Sequence, residues 1–120
     1  GGELSRIMLA IKTLLSRFKK LPTIIFDEID TGVSGKISDN IAEIMANLGS
    51  SMQVFTITHL PQVAAKGDHH FKVEKKIEGG KSLTKLNYLN TKQRIDEIAM
   101  MLSGNKITDT AIAHAKQLMN

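Results

Sequence analysis

The feature that most constrains this chain is a short apolar segment, Thr23 to Phe26, that leads directly into two adjacent carboxylates, Asp27 and Glu28. Its run of β-branched and aromatic residues predicts a strand buried on both faces, followed by a glycine-containing loop from Asp30 to Gly35. An acidic pair at such a strand end commonly holds Mg²⁺ with the first carboxylate and orients a water molecule with the second. The alternative is a pair that only caps a loop or forms a salt bridge.

A second apolar segment ends in a similar way further along the chain. Val54 to Ile57 leads into Thr58 and His59. Because functional groups of parallel sheets lie at the carboxyl ends of the strands, we expect His59 to lie near the acidic pair. His59 alone leaves two interpretations open, a structural histidine or one that contacts a terminal phosphate or an attacking water.

Helical periodicity alternates with these strands in the first half of the chain. Apolar spacing predicts helices from Glu3 to Phe18 and from about Ile37 to Leu48, with a second strand at Gln53 to Thr58. Pro61 suits the first position of a short helix that ends at Lys66. This order predicts an α/β fold in which parallel strands are flanked by helices.

The second half has a different pattern. Alternating residues predict strands at His70 to Lys76 and Ser82 to Leu89, joined by a hairpin turn at Glu78 to Lys81. Thr91 is predicted to cap a helix, and a last helix is predicted from about Thr108 to Met119. The sequence therefore predicts a β-hairpin and C-terminal helices appended to the parallel strands.

Composition excludes several classes of protein. The chain has no cysteine, which excludes a disulfide framework and a cysteine-based zinc site, and no apolar run approaches the ~18 residues that predict a membrane span. Its net charge of +4 is mild, and four Phe, one Tyr and no Trp provide no stacking platform for single-stranded nucleic acid. Five lysines of the predicted hairpin could attract phosphate, although a solvated face explains them more simply: Lys72, Lys75, Lys76, Lys81 and Lys85.

Two features of the sequence concern whether it contains a whole nucleotide site: its first residues and the absence of one motif. Gly1 and Gly2 precede a helix, where free N–H groups could meet an anion, although two glycines are a weak signal. Because the sequence does not start with methionine, we predict that it is a fragment of a longer protein. The sequence also contains no Gly-x-x-x-x-Gly-Lys-Ser/Thr loop, so a nucleotide would need a phosphate-binding loop from other polypeptide.

Three ordered motifs together carry a resemblance to a known family: Gly1 to Arg6, Ile24 to Gly35, and Thr58 to Ala65. They resemble the C-terminal part of the RecN family, bacterial DNA double-strand-break repair ATPases related to SMC proteins and, more distantly, to ABC ATPases. Arg94 to Gly104 is similar to the tail of that family. The resemblance implies a partial P-loop NTPase fold of the ABC/SMC head type, in which residues 1–120 form the C-terminal lobe and the Walker A half is missing.

The resemblance also implies roles for individual residues. Asp27 would be the Walker B aspartate that helps to hold Mg²⁺, and Glu28 would be the base that polarises the attacking water. His59 would be the switch histidine that senses the γ-phosphate of ATP. Glu28 and His59 are thus the implied catalytic residues, Asp27 is the implied metal ligand, and ATP and Mg²⁺ are the implied cofactors.

The remaining implied roles concern contacts between two heads. Gly1 and Gly2 would be the surviving part of the ABC signature, which contacts the γ-phosphate held by a partner head. Asp30 and Ser34 would bind the nucleotide from the D-loop, which crosses the head–head interface. Transporter-type ABC proteins usually carry Asp where this chain has Gly35, and that departure favours RecN over a transporter.

For the whole protein, the resemblance implies an ATPase of DNA repair and recombination in the bacterial cytoplasm, associated with the nucleoid and not with a membrane. ATP would join two heads in a homodimer, and hydrolysis would release them, coupled to binding or tethering of DNA. We expect this segment alone to be inactive without the N-terminal half of its head. Two alternatives remain: the equivalent part of another SMC-type or ABC transporter ATPase, and a non-enzymatic binding module.

The implied topology has a further consequence. The strand that leads to the phosphate loop would lie between the strands at Gln53 to Thr58 and His70 to Lys76, and each would lack a neighbour here. Unpaired strand edges attract partners. We therefore expect altered strand pairing or association through exposed edges.

Overall fold

The computed structural model describes residues 2–28 and 30–120, apart from the side chain of Ser5. The chain divides into two compact units, Gly1–Lys66 and Gly67–Asn120. The elements of the first unit are α1 (Gly2–Lys19), β1 (Thr23–Asp27), α2 (Lys36–Gly49), β2 (Gln53–Ile57) and α3 (Pro61–Lys66). Those of the second unit are β3 (Phe71–Glu78), β4 (Lys81–Tyr88), α4 (Thr91–Ser103) and α5 (Asp109–Met119).

In the first unit, β1 and β2 form a two-stranded parallel sheet, and α2 is the connection between them. The register runs from Thr23 opposite Gln53 to Asp27 opposite Ile57, so both strands end on the same rung. The prediction of parallel strands with helical connections is confirmed.

One face of this sheet packs into the core of the first unit. Phe26 is fully buried and Ile24 nearly so, against α2 residues that repeat at helical spacing: Ile41, Ala42, Met45 and Leu48. The opposite face, which we call the outer face, carries Ile25, Phe55 and Ile57, each about half exposed. The prediction of strands buried on both faces is therefore wrong, because the described residues of this unit cover one face only.

Helix α1 also leaves most of its apolar side chains exposed. It packs against the rest of the unit through a narrow side that includes the buried Leu9 and Ser16. The Lys12 Nζ also donates a hydrogen bond to the carbonyl of Ile25 at 3.1 Å. The exposed apolar residues, which we call the α1 stripe, are Leu4, Ile7, Met8, Ile11, Leu14, Leu15 and Phe18. Phe18 is the extreme case at 85% exposure, so the amphipathic pattern is present while its apolar side faces outwards.

The second unit is a hairpin followed by two helices. β3 and β4 pair antiparallel, and the two-residue turn Gly79–Gly80 has φ angles of 58° and 75°, which favour glycine. The predicted hairpin is thus confirmed. Helix α4 is capped by Asn90, whose side chain accepts a hydrogen bond from the Gln93 amide in a capping box. The prediction that Thr91 is the cap is wrong by one residue, since Asn90 is the better-placed acceptor.

The two pairs of strands form separate sheets. In residues 2–28 and 30–120, β2 pairs with β1 and β3 pairs with β4. The expectation of altered strand pairing or of association through exposed edges stays a prediction. Within those residues, no helix combines the length and the apolar character needed to cross a bilayer.

Candidate functional site

The parallel register brings the two strand-end motifs to one edge of the sheet. Asp27, the last residue of β1, lies opposite Ile57, the last residue of β2. The Glu28 amide continues the ladder by donating to the Ile57 carbonyl at 2.9 Å. The acidic pair therefore leaves the sheet at the same edge as Thr58 and His59, and the side chains of Asp27, Glu28 and His59 are exposed.

Glu28 has an unusual backbone conformation. Its φ is 49°, in the left-handed region that non-glycine residues adopt rarely and at a cost of about 1–2 kcal/mol. The loop holds this conformation in place, because the Thr31 hydroxyl donates to the Glu28 carbonyl at 2.8 Å. Strain of this kind concentrates at functional positions, where the surrounding structure fixes a side chain in one direction.

The loop after β1 is joined to the loop after β2. The Thr58 hydroxyl donates to the Asp30 Oδ2 and accepts a hydrogen bond from the Leu60 amide at 2.9 Å. Asp30 is only 1% exposed, and in the described part of the chain its Oδ1 accepts no hydrogen bond. The structure thus places Asp30 inside the first unit, whereas Ser34 is exposed on the same loop.

Gly2 packs closely against the loop that follows Asp30. A Cβ at this position would lie 3.0 Å from Val33 Cγ1 and 3.1 Å from the Gly32 carbonyl oxygen. The close approach of this loop to the start of α1 therefore favours glycine at position 2, since a larger residue would need its neighbours to shift by a few tenths of an ångström. Gly1, the other predicted signature residue, lies outside the described residues.

Gly35 ends this loop and begins α2. Its φ of 58° and ψ of −137° lie in a region that is essentially restricted to glycine. The Gly35 carbonyl accepts hydrogen bonds from the amides of Ser38 and Asp39, which closes the first turn of the helix. The backbone conformation therefore accounts for glycine at position 35.

The acidic end of β1 fits a magnesium ion that is shared with a phosphate ligand. Among the described residues, no three His, Asp or Glu side chains are grouped as a complete cage for a metal ion. Mg²⁺ is usually bound through one or two carboxylates, with water and phosphate oxygens filling the remaining positions. The exposed carboxylate of Asp27 has the donor chemistry that such a site needs.

A separate cavity of about 560 Å³ lies at the opposite end of the first unit. It is lined by the last turns of α1 and α2 and by the segments that lead into the strands, including Arg17, Lys20, Pro22, Leu48 and Met52. Of the predicted site residues that the structure describes, none lines it, so this cavity does not belong to the site at the strand ends.

The lysines of the hairpin do not form one continuous basic surface. Register places Lys72, Lys76, Lys81 and Lys85 on one face, where Glu74 and Glu78 alternate with them, and Lys75 on the other. The Lys72 ammonium lies 2.5 Å from Glu97 and 3.5 Å from Glu74. The hydrogen bond to Glu97 raises the pKa of Lys72 above its ordinary value. The acidic neighbours favour the interpretation of a solvated face.

His70, beside this cluster, is the second group whose titration is shifted. Its burial lowers the pKa of the imidazole, and the nearby cations Arg94 and Lys72 lower it further, while Glu97 acts in the opposite direction. The neutral form of His70 is therefore favoured in the folded second unit.

Comparison with known proteins finds sequence relatives along the whole chain, among them the three RecN proteins that follow. The chain is 44% identical over 120 residues to DNA repair protein RecN of Halalkalibacterium halodurans and 44% identical over 119 residues to RecN of Bacillus subtilis. It is 46% identical over 120 residues to RecN of Rickettsia conorii. This chain matches RecN. The alignments include 99–100% of the chain and 21–22% of each RecN, so the chain spans about a fifth of the length of these relatives. No protein-family model matches the sequence.

The solved structures agree on the fold of this RecN-like chain. A structure from a study of ATP-driven dimerization and DNA-stimulated activation of SMC ATPases superposes with a TM-score of 0.70. The superposition includes 88% of this chain and 63% of the SMC chain, at 22% sequence identity. The expected α/β fold of the SMC ATPase type, with a parallel sheet, helices and an antiparallel hairpin, is therefore confirmed.

Two features of the site were not predicted from the sequence. One is the left-handed conformation of Glu28, and the other is the role of Thr58 as the link between Asp30 and Leu60. A hydroxyl residue directly before the strand-end histidine was the available signal. Its partner was not apparent, because the two side chains are 28 residues apart in sequence.

Proposed function

We propose that this chain is the C-terminal lobe of the ATPase head in a RecN-like DNA repair protein. The observation that carries the proposal is the shared rung of β1 and β2, which brings Asp27 and Glu28 to the same edge as His59. The RecN match along the whole chain supports it. That match also favours a RecN-like head over the equivalent part of a transporter.

Each exposed side chain at this edge has one role in the proposal. Asp27 would help to hold Mg²⁺, and the ion would supply charge neutralisation for the phosphates of ATP. Glu28 orients and polarises the attacking water, and its fixed backbone conformation supports that positioning. His59 contacts the γ-phosphate as donor of a hydrogen bond.

Contacts with a second head complete the nucleotide site in this proposal. Gly1, Gly2 and the exposed Ser34 face the nucleotide bound by the partner head in a homodimer. The direct contact predicted for Asp30 stays a prediction, and its carboxylate is buried against Thr58.

The uncovered apolar surfaces support a partner within the same head. The outer face of the sheet and the α1 stripe expose large apolar side chains on the first unit. Contiguous exposed apolar surface usually marks an interaction site. We propose that the N-terminal half of the head, which contains the phosphate-binding loop, covers these surfaces, and that the segment alone does not hydrolyse ATP.

For the complete protein, we propose ATP-driven joining of two heads and release after hydrolysis, coupled to binding or tethering of DNA during double-strand-break repair and recombination. We place this activity in the bacterial cytoplasm at the nucleoid. The DNA repair relatives support this assignment.

The test is a Glu28→Gln variant of the complete RecN-like protein, with Glu43→Gln as the matched control. Glu43 is an exposed glutamate on α2, away from the strand ends. We expect Glu28→Gln to lower the rate of ATP hydrolysis by orders of magnitude while ATP binding survives, because an activating base acts mainly in the transition state. Glu43→Gln should hydrolyse ATP normally. Unchanged turnover in Glu28→Gln would favour a non-enzymatic binding module.

A further inference from the structure

The hydrogen bond between Asp30 and Thr58 joins the loop that follows β1 to the residue directly before His59. Asp30 contributes a carboxylate with almost no exposure, and Thr58 contributes a half-buried hydroxyl. A buried carboxylate depends strongly on the few donors that reach it, since solvent cannot replace them. The Asp30 Oδ2 accepts its hydrogen bond from the Thr58 hydroxyl.

The same hydroxyl also holds the backbone on the other side of His59. The Thr58 Oγ1 accepts the Leu60 amide at 2.9 Å, while Thr58 itself follows the last rung of β2. His59 therefore lies between two restrained residues, and its own side chain is exposed. In this arrangement, Asp30 fixes the rotamer of Thr58, and Thr58 fixes the turn that carries the imidazole.

We propose that Asp30 and Thr58 are positioning residues for His59, and that they act on it through this buried link. The proposal rests on the proposed function for the role of His59 in hydrolysis. It also implies that a displacement of the loop 30–35, such as one imposed by a second head, is transmitted to the histidine through one hydrogen bond.

The first arm of the test measures the link without nucleotide, in the complete RecN-like protein. Amide hydrogen exchange at Leu60 reports the bond to the Thr58 hydroxyl. We expect Thr58→Val to accelerate this exchange about 5- to 10-fold, which is the loss expected for one hydrogen bond. Thr58→Ser keeps the hydroxyl and should restore protection. The matched control is Thr56→Val, because the Thr56 hydroxyl contacts the Met45 sulfur at 3.6 Å and has no part in the link.

A double variant distinguishes loss of the link from misfolding caused by an unpaired buried carboxylate. Thr58→Val alone leaves the Asp30 carboxylate buried without its donor, whereas Asp30→Ala combined with Thr58→Val removes both partners. We expect the effects of the two substitutions on Leu60 exchange and on kcat to be non-additive, as for residues that act as one unit.

The second arm measures steady-state ATP hydrolysis. Thr58→Val and the double variant should lower kcat about 10-fold or more while the KM for ATP stays within about 2-fold, because a misplaced group affects the chemical step. Thr58→Ser and Thr56→Val should keep the wild-type kcat. A purely structural bond would instead lower stability and leave kcat unchanged.

The outcomes separate this inference from the proposed function. Faster Leu60 exchange with an unchanged kcat would overturn the positioning role, and unchanged exchange in Thr58→Val would overturn the link itself. A His59→Asn variant with normal hydrolysis would overturn the catalytic role of His59 and with it the functional part of this inference. The exchange arm would still decide whether the link exists.

Discussion

Two glycines at the ends of α2 allow a matched test of the loop geometry at the site. Gly35 precedes the helix with a φ of 58°, and Gly49 is its last residue and does not have a positive φ. A Cβ at either position would meet no atom within 4 Å. Substitution by alanine therefore differs between the two positions in backbone conformation and not in steric contact.

The expected magnitudes follow from that difference. Gly35→Ala should lower the free energy of unfolding by about 1–3 kcal/mol, the cost of a side chain in a glycine-only region. Gly49→Ala should raise it by about 0.4–1 kcal/mol, because alanine reduces the entropy of the unfolded chain. The free energies of unfolding of the two variants should differ by about 1.4–4 kcal/mol.

The assay is urea unfolding of the 120-residue chain, followed by far-ultraviolet circular dichroism. The urea concentration at the midpoint should fall for Gly35→Ala and rise for Gly49→Ala, while the slope of the free energy of unfolding against urea stays constant. A constant slope indicates that the substitutions change stability and not the unfolded state. Equal effects of the two substitutions, or a Gly35→Ala variant as stable as the parent, would refute the argument that backbone conformation selects glycine at position 35.

Two further predictions use the same unfolding assay. Phe26→Ala should lower the free energy of unfolding by about 3–5 kcal/mol because Phe26 is fully buried. Phe55→Ala should lower it by about 1 kcal/mol because half of that side chain is already in solvent. Similar losses for the two variants would contradict the assignment of Phe55 to the outer face. His70 has a lowered pKa in the folded state, so the unfolded chain binds its proton more readily and stability should fall as the pH drops below 6.5. A His70→Gln variant should lose less stability than the parent between pH 7.5 and pH 5, and an identical loss would contradict the burial of a neutral imidazole.

Local patterns predicted most of the secondary structure. The parallel strands and the Gly79–Gly80 turn follow from residue periodicity and turn chemistry, which are properties of neighbouring residues in sequence. Burial was less predictable. The apolar residues of β1 and of α1 have the spacing of core positions, yet many of them are exposed. An apolar pattern indicates which side chains favour burial, and it does not identify the element that covers them.

At the site, too, the strand arrangement was predictable from sequence and the tertiary contacts were not. The nearness of His59 to the acidic pair was predictable, since the carboxyl ends of parallel strands meet at one edge. The burial of Asp30 and its bond to Thr58 were not, because they depend on how two loops pack against each other. The strained backbone of Glu28 likewise arises from tertiary contacts that no local preference for glutamate would indicate.

The most direct test of the central claim is a crystal structure of the complete RecN-like protein carrying Glu28→Gln, with Mg²⁺ and ATP bound. The account predicts that Asp27 coordinates the ion, directly at about 2.0–2.1 Å or through one bound water. It also predicts an imidazole nitrogen of His59 at about 3 Å from a γ-phosphate oxygen. Bound Mg²⁺ and ATP that make no contact with the carboxyl ends of β1 and β2 would contradict it.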